Sequence, residues 1–380
     1  MTPSSTPFDP VVSEKSLGPL GSPISNNNGE SEGVYPLIEH CGWLLKVFKS
    51  HLITDADMTR IDQLVALAAN ASASDRVLLN SHMSWPAARV TSTSHMTYGV
   101  VIPIAPPAYW VNLRLNESQT KYKPLEIDWL ASAPEKCERH NVPVPNFANR
   151  VKICADIVAV AELLERHNLV YGDWSYANAL WSADECAGYV IDLDGCAFGT
   201  RTSLGTQNWD DPHATGKQTD TFSDRYGVAL LLARCLTGER DIRLALEALQ
   251  KIAVEHDATS LYDRVYSGVI TAERGNRPTV AMLLVALRAA EIGAQATVGG
   301  VAPATADGVV SWVPIPKPRG QTAPETRPPS APNLNPRSGD PGWSELLTDF
   351  TKTALVVIEM IALIILSSIV AGSLVSIFFG

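Results

Sequence analysis

The run YGDWSYANALWSADECAGYVIDLDG occupies residues 171–195. It reads as a polar loop, a short hairpin and the end of an apolar strand. Asp173 and Asn178 stand five positions apart in the loop, 178 − 173 = 5. Asp192 follows Asn178 by fourteen, 192 − 178 = 14, directly after Tyr189, Val190 and Ile191. Taken singly, these residues fit an Asx-type turn and an ordinary strand exit. Taken together, they place two carboxylates and an amide at the two ends of one hairpin.

That set is the equipment of phosphoryl transfer. One carboxylate orients an attacking hydroxyl. An amide and a second carboxylate hold Mg²⁺ against nucleotide phosphates. The spacing resembles the protein-kinase pattern H-R-D-x-x-x-x-N followed by D-F-G. The resemblance implies Asp173 and Asn178 as catalytic residues and Asn178, Asp192 and Asp194 as metal ligands. Asp192 is the first choice among the metal carboxylates, because it directly follows the apolar strand.

Upstream, Trp43-Leu44-Leu45-Lys46-Val47-Phe48 resembles the strand carrying the phosphate-binding lysine of that family. Lys49 competes with Lys46 but falls on the other strand face. Gly29-Glu30-Ser31-Glu32-Gly33-Val34-Tyr35 resembles a degenerate glycine-rich loop, so Gly29, Gly33 and Lys46 are expected on the nucleotide. A helix is predicted over Asp55–Ala69, capped by Thr54 or Asp55. Met58, Ile61, Leu64, Val65 and Leu67 supply its apolar face. In protein kinases a glutamate on this helix pairs with the lysine. Asp62 is the matching acid here and completes the expected nucleotide site. Trp85–Val90 and Tyr98–Pro103 read as two further strands. Ile104-Ala105-Pro106-Pro107 then suits a hinge.

Downstream, Arg150–His167 is an amphipathic helix with Val151, Cys154, Ile157, Val158, Ala161 and Leu164 at helical spacing. SDRYGVALLLARCLTG is apolar nearly all round over its middle and predicts a buried helix from Asp224 through Arg234, with Ser223 as its cap. By resemblance, Asp224 bonds the backbone of the catalytic loop. Asn276-Arg277-Pro278-Thr279 opens a last helix. Trp209-Asp210-Asp211-Pro212 stands where an A-P-E-like segment belongs, so Arg277 is expected to pair with Asp210 or Asp211.

The resemblance spans residues 29–293 and is to a divergent bacterial branch of Ser/Thr-type kinases. Four departures stand out. Tyr171 replaces the loop histidine that braces the metal strand, and Gly172 replaces the arginine that reads an activation-loop phosphate. Ser175 replaces the lysine that steadies the γ-phosphate. Leu193 and Asp194 stand where phenylalanine and glycine would be.

Composition agrees. A chain of 380 residues with 46% hydrophobic content holds one catalytic domain with tails. The net charge of −10 argues against a nucleic-acid surface, which needs a basic patch. The six cysteines show no C-x-x-C and read as reduced core residues. Residues 1–28 are rich in Ser, Pro, Gly and Asn and are expected to be disordered. Ten prolines between Pro303 and Pro341 mark an extended linker. The run 354–379 has one charge, Glu359. As a helix it would span about 39 Å at ~1.5 Å per residue, enough for a ~30 Å hydrocarbon core.

The expected architecture is therefore α+β and bilobal in the protein-kinase-like manner: a tail over 1–28, a β-rich small lobe over 29–103 and a helical large lobe over 104–293. A Pro-rich linker over 294–352 and a transmembrane tail anchor over 353–380 follow, with the catalytic domain cytoplasmic. The expected activity is ATP- and Mg²⁺-dependent transfer to a Ser/Thr-type hydroxyl. A membrane-tethered nucleotide-binding scaffold and a small-molecule kinase are the alternatives.

Overall fold

The computed structural model describes residues 6–299 except 27–30, 94–95, 203–205, 207 and 217. The expected linker from residue 300 onward and the anchor lie outside the described residues, as do Gly29 and Glu30. Among the described residues, no helix is long and apolar enough to cross a membrane.

The N-terminal region is sheet-rich. Six strands, β1 (Val11–Ser13), β2 (Ser25–Asn26), β3 (Ser31–Pro36), β4 (Trp43–Phe48), β5 (Ala88–Thr91) and β6 (Thr97–Pro103), form one sheet in the order β1-β5-β6-β4-β3-β2. All neighbours are antiparallel except β1 and β5. Side chains alternate between faces along β4. Leu45 and Val47 pack with Phe8, Leu17, Val90 and Val101, whereas Leu44 and Phe48 pack with Ile61 and Val65 of helix α1 (Asp55–Ala69). Lys46 shares the parity of Leu44 and Phe48, so strand geometry sends it to the α1 side. It sits mid-sheet, in register with Val34 on one side and Val100 on the other.

The segment expected to be disordered is thus partly structured. It adds β1 and β2 to the sheet and covers one face with Phe8 and Leu17. Its average composition is polar, but two well-spaced apolar side chains suffice to dock it.

Thr54 caps α1 in a reciprocal box with Asp57, as S/T-x-x-D/E spacing permits. A second helix follows, α2 (Ala73–Ser81), which the sequence reading left out. After the Pro106-Pro107 segment a hairpin of β7 (Trp110–Arg114) and β8 (Thr120–Pro124) intervenes, followed by α3 (Pro134–Arg139).

The C-terminal region is helical: α4 (Phe147–Arg166), α5 (Thr221–Thr237), α6 (Ile242–Glu255), α7 (Thr259–Ile270) and α8 (Val280–Gly299). Between α4 and α5 run β9 (Leu169–Val170), β10 (Ala179–Ser182), β11 (Ala187–Val190), β12 (Ala197–Phe198), β13 (Thr200–Thr202) and β14 (Gln218–Asp220). The predicted hairpin is β10–β11, with Ala179 opposite Val190. Gly188 lets it lie against α4, since a Cβ there would stand 2.6 Å from the Ile153 carbonyl oxygen. Helix α5 is buried nearly all round, as its composition requires, but its cap is Asp220 rather than Ser223. The Asp220 side chain accepts from Ser223 N–H at 2.9 Å. This sequence of a sheet-rich region and a helical region is the arrangement a kinase-like fold requires.

Candidate active site

The loop after β9 and the hairpin β10–β11 bring the expected residues together. Ile191 N–H donates to the Asn178 carbonyl at 3.0 Å, which extends the hairpin by one bond. Asn178 and Asp192 thereby flank the same hairpin end. Asp192 takes the left-handed conformation, φ 63° and ψ 32°. That conformation is costly for a non-glycine residue and marks sites where side-chain direction matters. It turns the chain so that Leu193 enters the core and Asp194 points back at the sheet.

Lys46 meets both carboxylates. Its Nζ donates to Asp192 and, at 3.0 Å, to Asp194. Burial alone would lower the Lys46 pKa, but Asp194 and Asp192 outweigh it and hold it raised. The Lys46 ammonium in turn lowers Asp192, against the effect of burial. The two acids differ in environment. The Asp194 side chain is 4% exposed and the Asp192 side chain 48%.

Asp62 does not pair with Lys46. It forms a bidentate pair with Arg89 of β5, at 2.7 and 3.1 Å. The helix contact to the metal strand comes instead from Arg60, two residues earlier and so on another face of α1. Its guanidinium donates to the carbonyls of Asp194 and Cys196. The guanidinium fork of Arg89 matches the Asp62 carboxylate with two bonds, a stronger partnership than a single ammonium offers. The expectation for Asp62 is therefore corrected, and Arg60 is a contact that charge matching alone did not find.

The loop itself is held from three sides. Asp224 accepts from Tyr171 N–H at 2.7 Å and from Gly172 N–H at 2.8 Å. Burial pushes this carboxyl up to about 7, against the pull of those two donors. The Tyr171 hydroxyl donates to the Ile191 carbonyl at 2.7 Å. The side chain that replaces the bracing histidine therefore still reaches the metal strand. Arg201 of β13 donates to the Tyr171 carbonyl. Gly172 has φ 72°, and a Cβ there would stand 2.8 Å from Thr219 Oγ1 and 3.5 Å from Arg201 Cδ. No arginine fits at 172, and Arg201 reaches the same carbonyl neighbourhood from a strand thirty residues on. Nothing in the local pattern of the loop pointed to it.

Asp173 accepts from Thr206 Oγ1 at 3.2 Å. Asn178 donates from Nδ2 to the Asp173 carbonyl at 3.1 Å and to Ser175 Oγ at 3.4 Å. Its Oδ1 is thereby turned away from these partners. A small cavity beside Asp173 is lined by Thr206, Trp209, Asp210 and Asp224 among others. Of the expected glycine loop, Gly33 lies in β3 opposite Val47 and Asn26, at the mouth of the β2–β3 turn. Arg277 pairs with Asp211, not Asp210, through two bonds of 2.7 Å.

Among the described residues, no cluster of three His, Cys, Asp or Glu could hold a metal on its own. Mg²⁺ does not require one, since it keeps waters and is completed by substrate phosphates on one or two carboxylates. Half-exposed Asp192 with the oriented amide of Asn178 fits that demand.

No family model matches the sequence, and no curated protein matches it. Among solved structures, the chain is similar to one described as "ROP18 kinase domain in complex with AMP-PNP and sucrose", at 15% identity and a TM-score of 0.48, over 74% of this chain and 81% of that one. At that score the likeness adds nothing to the geometry above.

Proposed function

We propose that the chain is an ATP- and Mg²⁺-dependent phosphotransferase of the protein-kinase-like type, acting on a Ser/Thr-type hydroxyl and tethered to a membrane by its apolar run at 354–379. One observation carries the catalytic reading. A side-chain hydroxyl already sits 3.2 Å from Asp173, while across the site Lys46 is buried against two carboxylates.

Lys46 binds the α/β-phosphates as a fixed cation. Asp194 is its permanent partner, taking the part expected of Asp62. Asp192 and Asn178 hold the metal, which supplies neutralisation of the phosphate charge. Asp173 orients the acceptor hydroxyl through a carboxylate oxygen and takes its proton as transfer proceeds. Thr206 keeps that oxygen occupied until an acceptor arrives. Asp224, Tyr171 and Arg201 keep the loop in register with the metal strand. The brace from Tyr171 to Ile191 favours an active enzyme over a scaffold, because it supplies the contact to the metal strand that a loop histidine would make.

The full chain, incubated with γ-labelled ATP and Mg²⁺, should transfer or release label. Asp173→Ala should lower kcat by about 10²–10⁴-fold, the usual contribution of a positioned base, with nucleotide affinity little changed. Unchanged turnover in a folded variant removes Asp173 from the mechanism.

A further inference from the structure

Arg234 is a cation that none of the contacts above employs. It lies in the last turn of α5 and is 6% exposed. Its one hydrogen bond among the described residues runs to the Asn208 carbonyl, at 3.2 Å. Its Nε is buried and without a partner. No carboxylate pairs with it among the described residues, and a desolvated charge lacking a counter-ion is expensive. Instead it stacks on aromatic faces, 4.7 Å from the Trp209 ring centre and 5.8 Å from that of Tyr176.

Two more cations adjoin it. The Arg240 guanidinium lies 4.9 Å from the Tyr176 ring centre, and its side chain is 50% exposed. Lys136 of α3 reaches Ser132 Oγ at 3.2 Å, the same oxygen that Arg240 reaches at 3.3 Å. One carboxylate, Asp128, serves this group, at 3.0 Å from Arg240 and 3.9 Å from Lys136. Asp241, next to Arg240, is engaged in capping α6. Among the described residues, Asp128 is the one carboxylate within pairing distance of any of these three cations. The hydroxyl of Tyr176 and Oδ1 of Asp128 are buried without partners beside them.

The position of this group relates it to the chemistry. Tyr176 is three residues beyond Asp173, and Trp209 lines the cavity that Asp173 also lines. Of the other acids at that cavity, Asp211 is taken up by Arg274 and Arg277, and Asp210 accepts from Thr206 N–H. Arg240 spends its Nε on the Ala131 carbonyl and one terminal nitrogen on Asp128 and Ser132, which among the described residues leaves its other terminal nitrogen for an incoming carboxylate.

We infer that Arg234, Arg240 and Lys136, framed by Tyr176 and Trp209, form an acceptor subsite for an acidic peptide segment carrying carboxylates beside its hydroxyl. The cations come from α5, the turn before α6, and α3, and they converge on the Tyr176 ring and on Ser132. The inference deepens the phosphotransferase reading and rests on it for the fate of the hydroxyl, but the binding of the anion can be measured by itself.

The test uses the full chain and two fluorescent peptides, a serine flanked by glutamates and the same serine flanked by lysines, read by anisotropy. The glutamate peptide should bind at least tenfold more tightly, with affinity falling as salt rises. Arg240→Glu, at a half-exposed position, should weaken it about tenfold, a factor worth about 1.4 kcal/mol. Lys136→Glu should act in the same direction, and Arg240→Lys should restore most of the binding. Equal affinity for the two peptides, or unchanged binding in Arg240→Glu, overturns the subsite. Labelled ATP separates the two ideas. Charge-dependent binding without any label transfer keeps the subsite and removes the phosphotransferase reading. Equal labelling of both peptides, lost in Asp173→Ala, keeps the enzyme and removes the subsite.

Discussion

Asp192 and Asp194 are chemically identical and two residues apart, yet their surroundings give them different work. The left-handed turn at Asp192 leaves its carboxylate half in solvent, while Asp194 is packed against Lys46 under the sheet. Asparagine tolerates the left-handed region well, so Asp192→Asn preserves the turn and removes only charge. That variant should lose the stabilisation that ATP gives in the presence of Mg²⁺, beyond any fall in melting temperature from its weakened bond to Lys46. Asp194→Asn strips a charge-assisted bond from a buried ammonium and should cost roughly 1.5–3 kcal/mol of stability. Thermal melts with and without ATP and Mg²⁺ check both. Equal nucleotide-dependent stabilisation with and without metal, in wild type and Asp192→Asn alike, would end the metal assignment. At this scale the strand pattern identified Lys46 and the acids, but not which acid the lysine keeps. Asp62 was chosen by sequence distance, whereas its partner is set by which face of α1 it occupies, and that face meets Arg89.

Elements decide what the loop residues lean on. Gly172 looked like the loss of a functional arginine. It is a position where the left-handed backbone and the approach of β14 exclude any side chain, and β13 delivers Arg201 to the neighbouring carbonyl instead. The same logic governs the pair joining the 209–212 segment to the start of α8. Arg277 and Asp211 are almost wholly buried, at 0% and 1% side-chain exposure, and bonded through two nitrogens and two oxygens. Arg274 adds a third bond to Asp211, at 2.8 Å. Lysine cannot reproduce the fork. Arg277→Lys keeps the charge but loses the second arm of the fork, and should destabilise the fold by roughly 1.5–3 kcal/mol. A denaturant midpoint unchanged from wild type would contradict that. The pairing was legible as a choice between Asp210 and Asp211. Only the path of the segment, which spends Asp210 on Thr206 N–H, makes the choice.

Across the whole molecule, the ends of the chain differ in how far pattern alone carries. The start of the chain is polar on average and still docks, because Phe8 and Leu17 are placed to cover one sheet face. The run at 354–379 is mainly apolar with Glu359 as its one charge, long enough for a bilayer, and set off by the Pro-rich stretch. Membrane attachment through it is expected to resist alkaline carbonate. Deleting Thr353–Gly380 should release a soluble chain that still binds nucleotide, because a stretch of that Pro-rich composition is expected to act as a spacer. A full-length chain that washes off, or a truncation that aggregates, would refute the anchor.

The sequence by itself determined the order of parts: a lysine strand, a capped helix, a loop and hairpin bearing Asp173, Asn178 and Asp192, and a buried helix carrying Asp224. Those features are local, set by alternation, helical spacing and capping, and they survive without knowledge of neighbours. The tertiary structure decided the pairings. Lys46 with Asp194, Arg60 with the metal-strand carbonyls, Tyr171 with Ile191, Arg201 with the loop, and Arg234 with the Trp209 ring all join residues remote in sequence. Ion pairs and hydrogen bonds act over a few ångströms, so their partners follow from which faces the packed elements turn toward each other, and no spacing along one strand or helix encodes that.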